Sequence, residues 1–296
     1  MSAEVFLAPA KLNLMLRVVG RRADGYHLLE TVFRFLDYGD ELRLTVRGDG
    51  VVRRTLPIPG VAEDDDLTVR AARLLQKATK TPLGADVELV KRLPLGAGLG
   101  GGSSDAATVL LALNRLWDTG LSRDALRALG LQLGADVPVF IFGLSAFAQG
   151  IGEDLAAVAL PPAWYVVLTP SVIVPTAGIF GHADLNRDSK PIKIQGFSGG
   201  GLAEYVREYV TEYVTEHAVN DLQSLVCRLY PEVARHLEWL RQHGPALMTG
   251  TGAAVFAPFD SERAARDVMA KLPPDMKGFM ARGLDRHPLR ELATEQ

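Results

Sequence analysis

Pro94-Leu95-Gly96-Ala97-Gly98-Leu99-Gly100-Gly101-Gly102-Ser103-Ser104-Asp105 joins a strand-like run, Val87-Glu88-Leu89-Val90, to a helix-like one, Ala106-Ala107-Thr108-Val109-Leu110-Leu111-Ala112-Leu113. Glycine lets the backbone take positive φ and approach a ligand closely, and the free N–H groups at a helix start favour an anion. The stretch therefore reads as a phosphate cradle. Gly96 to Gly101 satisfies the dinucleotide pattern GxGxxG, but far from the N-terminus and without an opening βαβ unit. A Walker loop needs Gly-Lys-Ser/Thr, whereas Gly102 is followed by Ser103-Ser104, and the His-Arg-Asp and Asp-Phe-Gly signatures of protein kinases do not occur. A flexible linker is the competing reading, but linkers are not normally tied to an apolar helix by a Ser/Asp cap.

The chain has 296 residues, 48% of them hydrophobic, enough for one large or two medium cores. With 32 basic and 35 acidic residues its formal net charge is -3, which favours a small-molecule partner over nucleic acid. The single cysteine, Cys227, rules out an intrachain disulfide or a cysteine-based zinc site and reads as a packed small hydrophobe. The start of the chain lacks a signal-peptide pattern and no later stretch approaches a membrane span, so the expected location is the cytoplasm, away from membranes.

Outward from the glycine run, Leu12 to Val19 and Glu41 to Val46 read as strands, with turns at Asp24-Gly25 and Gly48-Asp49-Gly50. Leu67 to Ala78 has helical spacing, the glycine loop launches a helix ending near Trp117, and another helix starts at a Ser122 cap and stops near Leu133-Gly134. Ala135-Asp136-Val137-Pro138 reads as a loop before the apolar Val139-Phe140-Ile141-Phe142, and Trp164 to Leu168 as a new strand after a boundary between Gly152 and Pro162. Gly196 to Gly201 reads as a linker, and Glu204 to Glu216, with Glu-Tyr-Val repeating every four residues, as an amphipathic packing helix. The class expected from this mixture is α+β.

In Pro9-Ala10-Lys11-Leu12-Asn13-Leu14 the period of two puts Lys11 and Asn13 on one strand face. Lys11, the glycine loop, Asp136 and Thr249-Gly250-Thr251-Gly252 together supply a cation, an anion cradle, a carboxylate and a second backbone-rich turn, the parts that phosphoryl transfer requires. Three stretches, Pro9 to Asn13, Pro94 to Asp105 and Leu247 to Phe256, resemble in order and spacing the three motifs of the GHMP small-molecule kinase superfamily. Gly20 to His27, Gly134 to Phe140 and Pro175-Thr176-Ala177-Gly178-Ile179-Phe180 resemble one branch of it, which phosphorylates the 2-hydroxyl of 4-diphosphocytidyl-2-C-methyl-D-erythritol in the non-mevalonate route to isoprenoids.

The resemblance implies a two-domain fold, ribosomal-protein-like over residues 1–155 and ferredoxin-like over 156–296, in a monomer or weak homodimer, with ATP and Mg²⁺ as cofactors. It implies Asp136 as the base that takes the substrate's hydroxyl proton and Lys11 as its charge partner. Lys91, Pro94 to Asp105 and Thr249 to Gly252 would hold ATP. No protein metal ligand is assigned, although Ser103, Ser104 and Asp105 all stand near the expected ion. Tyr26 and Phe180 would stack on the cytosine, His27 would hydrogen-bond it, Asn13 and Thr176 would bond the substrate, and Phe33 would line its apolar side. Where the family commonly has Asp-Asn-Leu at the adenine, this chain has Asp65-Asp66-Leu67, which exchanges an amide donor for a carboxylate near the base. Competing readings are a GHMP kinase for a sugar, homoserine or mevalonate derivative, and a ligand sensor without activity; Tyr26, His27 and Phe180 argue against the first, Lys11 and Asp136 against the second.

Overall fold

A computed structural model describes residues 3–191 and 219–294. The two longest strands, β1 (Glu4–Arg21) and β2 (His27–Arg47), pair antiparallel along nearly their whole length. They meet through the turn at Asp24-Gly25, where Gly25 takes φ 93°. Sheet propensity alone does not sustain strands this long; burial does, because the middle of each packs into a core on both faces.

The rest of the first half is β3 (Val52–Arg54), α1 (Leu67–Thr79), β4 (Gly84–Val90), α2 (Gly101–Leu116), α3 (Arg123–Leu131), α4 (Val137–Phe142), β5 (Ala146–Gln149) and β6 (Asp154–Ala157). The second half contributes β7 (Trp164–Leu168), α5 (Thr176–Gly181), α6 (Gln223–Leu229), α7 (Pro231–Arg241), β8 (Leu247–Met248), β9 (Val255–Phe259), α8 (Glu262–Met269) and β10 (Gly278–Leu284). The strands run β3-β4-β2-β10-β7-β9-β8, so β10 links the two halves by pairing with both β2 and β7. One apolar core lies under α1, α2 and α4, a second under α6, α7 and α8, and a third, built on Leu12, Met15, Leu36 and Phe147, lies where the halves meet.

Mixed helices with mostly antiparallel strands agree with the α+β expectation. The cap at Ser122 also holds: it accepts a hydrogen bond from the Ala125 amide at the start of α3. Two expectations need correction. Val137–Phe142 forms the short helix α4, in place of the expected loop followed by an apolar run, because Pro138 sits in the first turn, where no N–H is missed, and Gly143 closes the end in the left-handed region at φ 71°. Helix α2 begins at Gly101, five residues before the helix-like run from Ala106, with Gly100 as its N-cap. The expected Ser/Asp cap does not form, because Ser103, Ser104 and Asp105 lie inside the helix, and the last two glycines of the run are already helical. The interval from Gly152 to Pro162 contains strand β6. The expected linker at Gly196–Gly201 and helix at Glu204–Glu216 lie outside the described residues.

The end of the chain returns to the first half. Ser145 donates its backbone N–H to the Asp285 carbonyl, and Arg123 donates to the carbonyls of Ile141, Arg290 and Ala293. His287 is buried edge-on to the rings of Phe35 and Phe140. Burial, with Arg123 nearby, pushes its imidazole down to about 3, so it folds as the neutral ring.

Candidate active site

Strand β1 carries Lys11 and Asn13 into the centre of the molecule, where they are 2% and 4% exposed. Lys11 Nζ donates to Asn13 Oδ1 at 2.5 Å, stands 3.3 Å from the Asp136 carboxylate and lies 5.5 Å from the centroid of the Phe33 ring. Asn13 is held in turn, donating from Nδ2 to Thr31 Oγ1 (2.8 Å), whose hydroxyl donates to the Met15 carbonyl. The lysine ammonium is thus aimed by a buried polar chain that ends on backbone. Asp136 precedes α4 but makes no capping hydrogen bond, and its side chain is 38% exposed. An aspartate in a turn ordinarily bonds its own backbone; this one instead presents its carboxylate to Lys11 and to open space.

That space is a cavity of about 790 Å³. Its walls include Lys11, Asn13, Phe33, Lys91, the loop from Pro94 to Ser103, Asp136, Gly250, Thr251, Thr176, and the cluster Tyr26, His27 and Phe180. Four expected site residues stand behind the wall: Ser104, Asp105, Thr249 and Gly252 do not line it, and the first, second and third of these are almost wholly buried.

The glycine loop is shaped by what lies behind it. Gly96, Gly98 and Gly100 all take positive φ. A Cβ on Gly98 would lie 2.3 Å from the Thr249 carbonyl oxygen, and one on Gly100 would meet Lys11 Cγ and Phe140 Cζ at 2.9 Å. Only glycine allows the loop to sit this close to the Thr249–Gly252 turn and to Lys11. Thr249 accepts a hydrogen bond on Oγ1 from the Asn13 amide (2.8 Å) and donates to the Gly98 carbonyl (3.4 Å), tying strand, loop and turn together. Asn220, which sequence reasoning passed over as a site residue, clamps the same turn by donating to the carbonyls of Met248 and Gly250. The free amides at the start of α2, on Gly101, Gly102 and Ser103, open onto the cavity and make it suited to an anion.

At the opposite end, α5 is anchored by buried Ile179, and its Thr176 and Phe180, one turn apart, line the cavity. Thr176 Oγ1 bonds Thr251 Oγ1 at 3.0 Å, joining this wall to the phosphate side. Phe180 packs on the His27 imidazole with centroids 5.0 Å apart, and Tyr26 stands at the rim, 59% exposed.

Residues 66–144 match the N-terminal domain of GHMP kinases and residues 203–277 match their C-terminal domain. The chain is 57% identical to a protein of Nitrosospira multiformis named 4-diphosphocytidyl-2-C-methyl-D-erythritol kinase, over 97% of this chain and 94% of that one. The chain belongs to the GHMP kinases. A relative of the same name from Thiobacillus denitrificans is 56% identical over 99% of this chain and all of its own length. A solved structure of a 4-(cytidine 5'-diphospho)-2C-methyl-D-erythritol kinase, 34% identical, superposes with a TM-score of 0.78 over 95% of this chain and 99% of that one. A homoserine kinase from Cytophaga hutchinsonii, 16% identical, superposes at 0.69 over 96% of this chain and 94% of that one, which shows the shared fold. The two-domain GHMP kinase fold and ATP-dependent kinase activity expected from the motifs are thereby shown.

Two features of this GHMP kinase depart from the sequence expectation. Asp66 brings no free negative charge to the nucleotide. It caps α1 by accepting from the Thr68 amide and hydroxyl, pairs with Arg54 at 3.0 Å, and is buried, so that of Asp65-Asp66-Leu67 only Leu67 lines the cavity. Asp105 likewise faces inward, onto a buried charge cluster. Lys91 Nζ donates to Asp40 and, at 3.0 Å, to Asp105, while Asp40 also accepts from the amides of Arg92 and Leu93, fixing the chain where it enters the phosphate loop. Burial works against the Lys91 charge, but the Asp105 and Asp40 carboxylates outweigh it and hold the ammonium above its ordinary value. Burial raises the Asp105 carboxyl to about 8 despite Lys91, with Asp40 adding to the rise.

The Asp105 shift has a sign that equilibrium unfolding detects. A carboxyl that holds its proton more tightly when folded stabilises the fold fully below the unfolded value near 3.8, and that contribution is lost as pH rises towards about 8. Asp105→Asn, which mimics the protonated acid, is expected to lose stability relative to the native chain at pH 5 and to recover at least about 1 kcal/mol of the difference by pH 8. Urea midpoints of both proteins at the two values check this; an unchanged difference rejects a protonated Asp105.

Proposed function

We propose that the protein transfers the γ-phosphoryl group of ATP to the 2-hydroxyl of 4-diphosphocytidyl-2-C-methyl-D-erythritol, giving the 2-phosphate and ADP in the non-mevalonate route to isoprenoid precursors. The observation that carries the reading is the Lys11–Asp136 pair, 3.3 Å apart, on the wall of one cavity shared by an anion cradle and an aromatic cluster. The relatives that share more than half of the chain's residues carry the name of this kinase.

Asp136 takes the proton of the 2-hydroxyl as its oxygen attacks the γ-phosphorus, and the bond from that phosphorus to the β–γ bridging oxygen breaks, releasing ADP. Lys11 offsets negative charge on the reacting oxygen and the transferred group. The amides of the loop and of the first turn of α2 hold the phosphates, with Thr249 and Gly252 supporting that loop from behind and Gly250 and Thr251 facing the cavity. Tyr26 and Phe180 stack on the cytosine, His27 hydrogen-bonds it, Asn13 and Thr176 bond the substrate, and Phe33 supplies its apolar contact.

Mg²⁺ belongs to the same proposal. Magnesium commonly keeps several water and phosphate ligands and needs few from the protein. Of Ser103, Ser104 and Asp105 only Ser103 lines the cavity, so it is the one that would help hold the ion, which would supply positive charge against the phosphate oxygens. Among the described residues no helix is long and apolar enough to cross a membrane. We further place the enzyme in the cytoplasm as a monomer or weak homodimer acting on a small molecule and not on nucleic acid or a membrane, with its two domains dividing at residues 155/156.

The test is ADP release with Mg²⁺-ATP and each of 4-diphosphocytidyl-2-C-methylerythritol, methylerythritol 4-phosphate, mevalonate, homoserine and galactose. Selective turnover of the first is expected; preference for another acceptor overturns the proposed substrate, and absence of turnover overturns the activity.

A further inference from the structure

Arg187 lies beyond α5, outside every motif considered above, yet it grips the base-recognition cluster. Its Nη1 donates to the Leu185 carbonyl at 3.1 Å, and its Nη2 to the carbonyls of Phe180 (2.9 Å) and His182 (2.8 Å). These three backbone acceptors hold the guanidinium so that Nε–H points at His27 Nε2, 3.0 Å away. A guanidinium has no lone pair to offer and keeps its protons at any working pH. The imidazole nitrogen that faces it must therefore accept.

A neutral imidazole has one accepting and one donating nitrogen, so the remaining proton of His27 sits on Nδ1. Turning the ring over would put Cε1–H, which cannot accept, opposite the Arg187 Nε–H, so the hydrogen bond fixes the orientation of the ring as well as its tautomer. Burial, and then the charges of Arg187 and Arg21, lower the pKa of His27, in keeping with a neutral ring. Among the described residues no protein group bonds Nδ1, while His27 forms part of the cavity wall with Phe180 against its face.

We propose that Arg187 is a positioning residue that fixes His27 as a hydrogen-bond donor towards the cavity, so that the site selects a pyrimidine whose N3 accepts, cytosine, over one whose N3 carries a proton, uracil. This rests on the reading that the base binds at Tyr26, His27 and Phe180. The discrimination follows from mismatch: a donor facing the N3–H of uracil leaves two protons opposed and unpaired in a partly desolvated site. The same device explains why an arginine is used here. A lysine gives the imidazole a donor but lacks the planar fork that bonds three carbonyls at once.

Two measurements test the proposal. In protein labelled with ¹⁵N-histidine, with the His27 signal assigned by its loss in His27→Gln, the ring is expected to show a protonated Nδ1 and a bare Nε2 at neutral pH. An imidazolium, or the proton on the nitrogen facing Arg187, overturns the proposal, and this readout needs no Arg187 variant to fold. In titrations with CDP and UDP, the native protein is expected to prefer CDP at least about tenfold. Arg187→Met is expected to bring that ratio to within about threefold, with Arg187→Lys restoring part of it. A native protein without preference, or an unchanged ratio in Arg187→Met, overturns it. Turnover of the cytidylyl substrate without a CDP preference removes this inference alone, whereas CDP preference without turnover removes the proposed reaction alone.

Discussion

Asp136→Asn is expected to lower kcat by about 10²- to 10⁴-fold while the KM for ATP stays within about threefold, because the base acts on the hydroxyl proton in the transition state and not on the bound nucleotide. The structure makes this substitution locally mild. Asp136 caps nothing through its side chain, is half-exposed, and has Lys11 as its ion-pair partner, so exchanging carboxylate for amide leaves the start of α4 intact. Lys11 keeps its bond to Asn13 but loses the only ion-pair partner it has among the described residues, so some stability is expected to go with the activity. Steady-state kinetics beside a thermal melt separate the two effects. A kcat within about tenfold of the native value would remove Asp136 from the role of base.

Gly98→Ala is expected to weaken ATP binding by at least about 100-fold and to cost about 2–4 kcal/mol of stability. Two penalties fall on one atom: the backbone at φ 76° disfavours any Cβ, and that Cβ would lie 2.3 Å from the Thr249 carbonyl oxygen and 3.2 Å from backbone atoms of Gly252. Neither neighbour is a flexible side chain, so the phosphate loop and the Thr249–Gly252 turn must part. The bonds that join them, Ala254 N–H to the Ala97 carbonyl and Thr249 Oγ1 to the Gly98 carbonyl, go with them. Gly120→Ala supplies the control. Gly120 also has positive φ, at 65°, but nothing stands within 4 Å of its Cβ position, so its variant should carry the backbone cost, about 1–2 kcal/mol, and bind ATP normally. Calorimetric titration with an ATP analogue and urea unfolding on both variants decide the matter; equal ATP affinities would show that the Gly98 contact does not shape the loop.

The two carboxylates nearest the nucleotide end show how different fates arise from one residue type. Asp136 and Asp105 both looked available from their positions beside loop and helix. Asp136 stands at the mouth of a six-residue helix and reaches the cavity, whereas Asp105 sits on a face of α2 turned inward, where Asp40 of β2 and Lys91, just past the end of β4, enclose it. A helix gives each residue a direction that depends on its phase against the sheet beneath, and no local pattern within Ser103-Ser104-Asp105 reveals that phase. Asp66 was misleading for a related reason: its partner Arg54 comes from β3 through a loop, and the pairing exists only once β3 lies along β4.

Much of the chemistry was legible along the chain because it is local. Positive-φ glycines in series followed by an apolar helix whose first amides are free build an anion cradle, period-two spacing puts Lys11 and Asn13 on one face, and Ser122 announces a helix start through a single side-chain bond. What the tertiary structure alone decided is how distant pieces meet. Asn13 and Thr249 bond across 236 positions, His27 and Arg187 across 160, and Arg34 with Asp285 across 251. Those meetings follow from which strand lies beside which and from the burial that holds them there, and the free energy behind that choice is summed over the whole core, so no short stretch of residues encodes it.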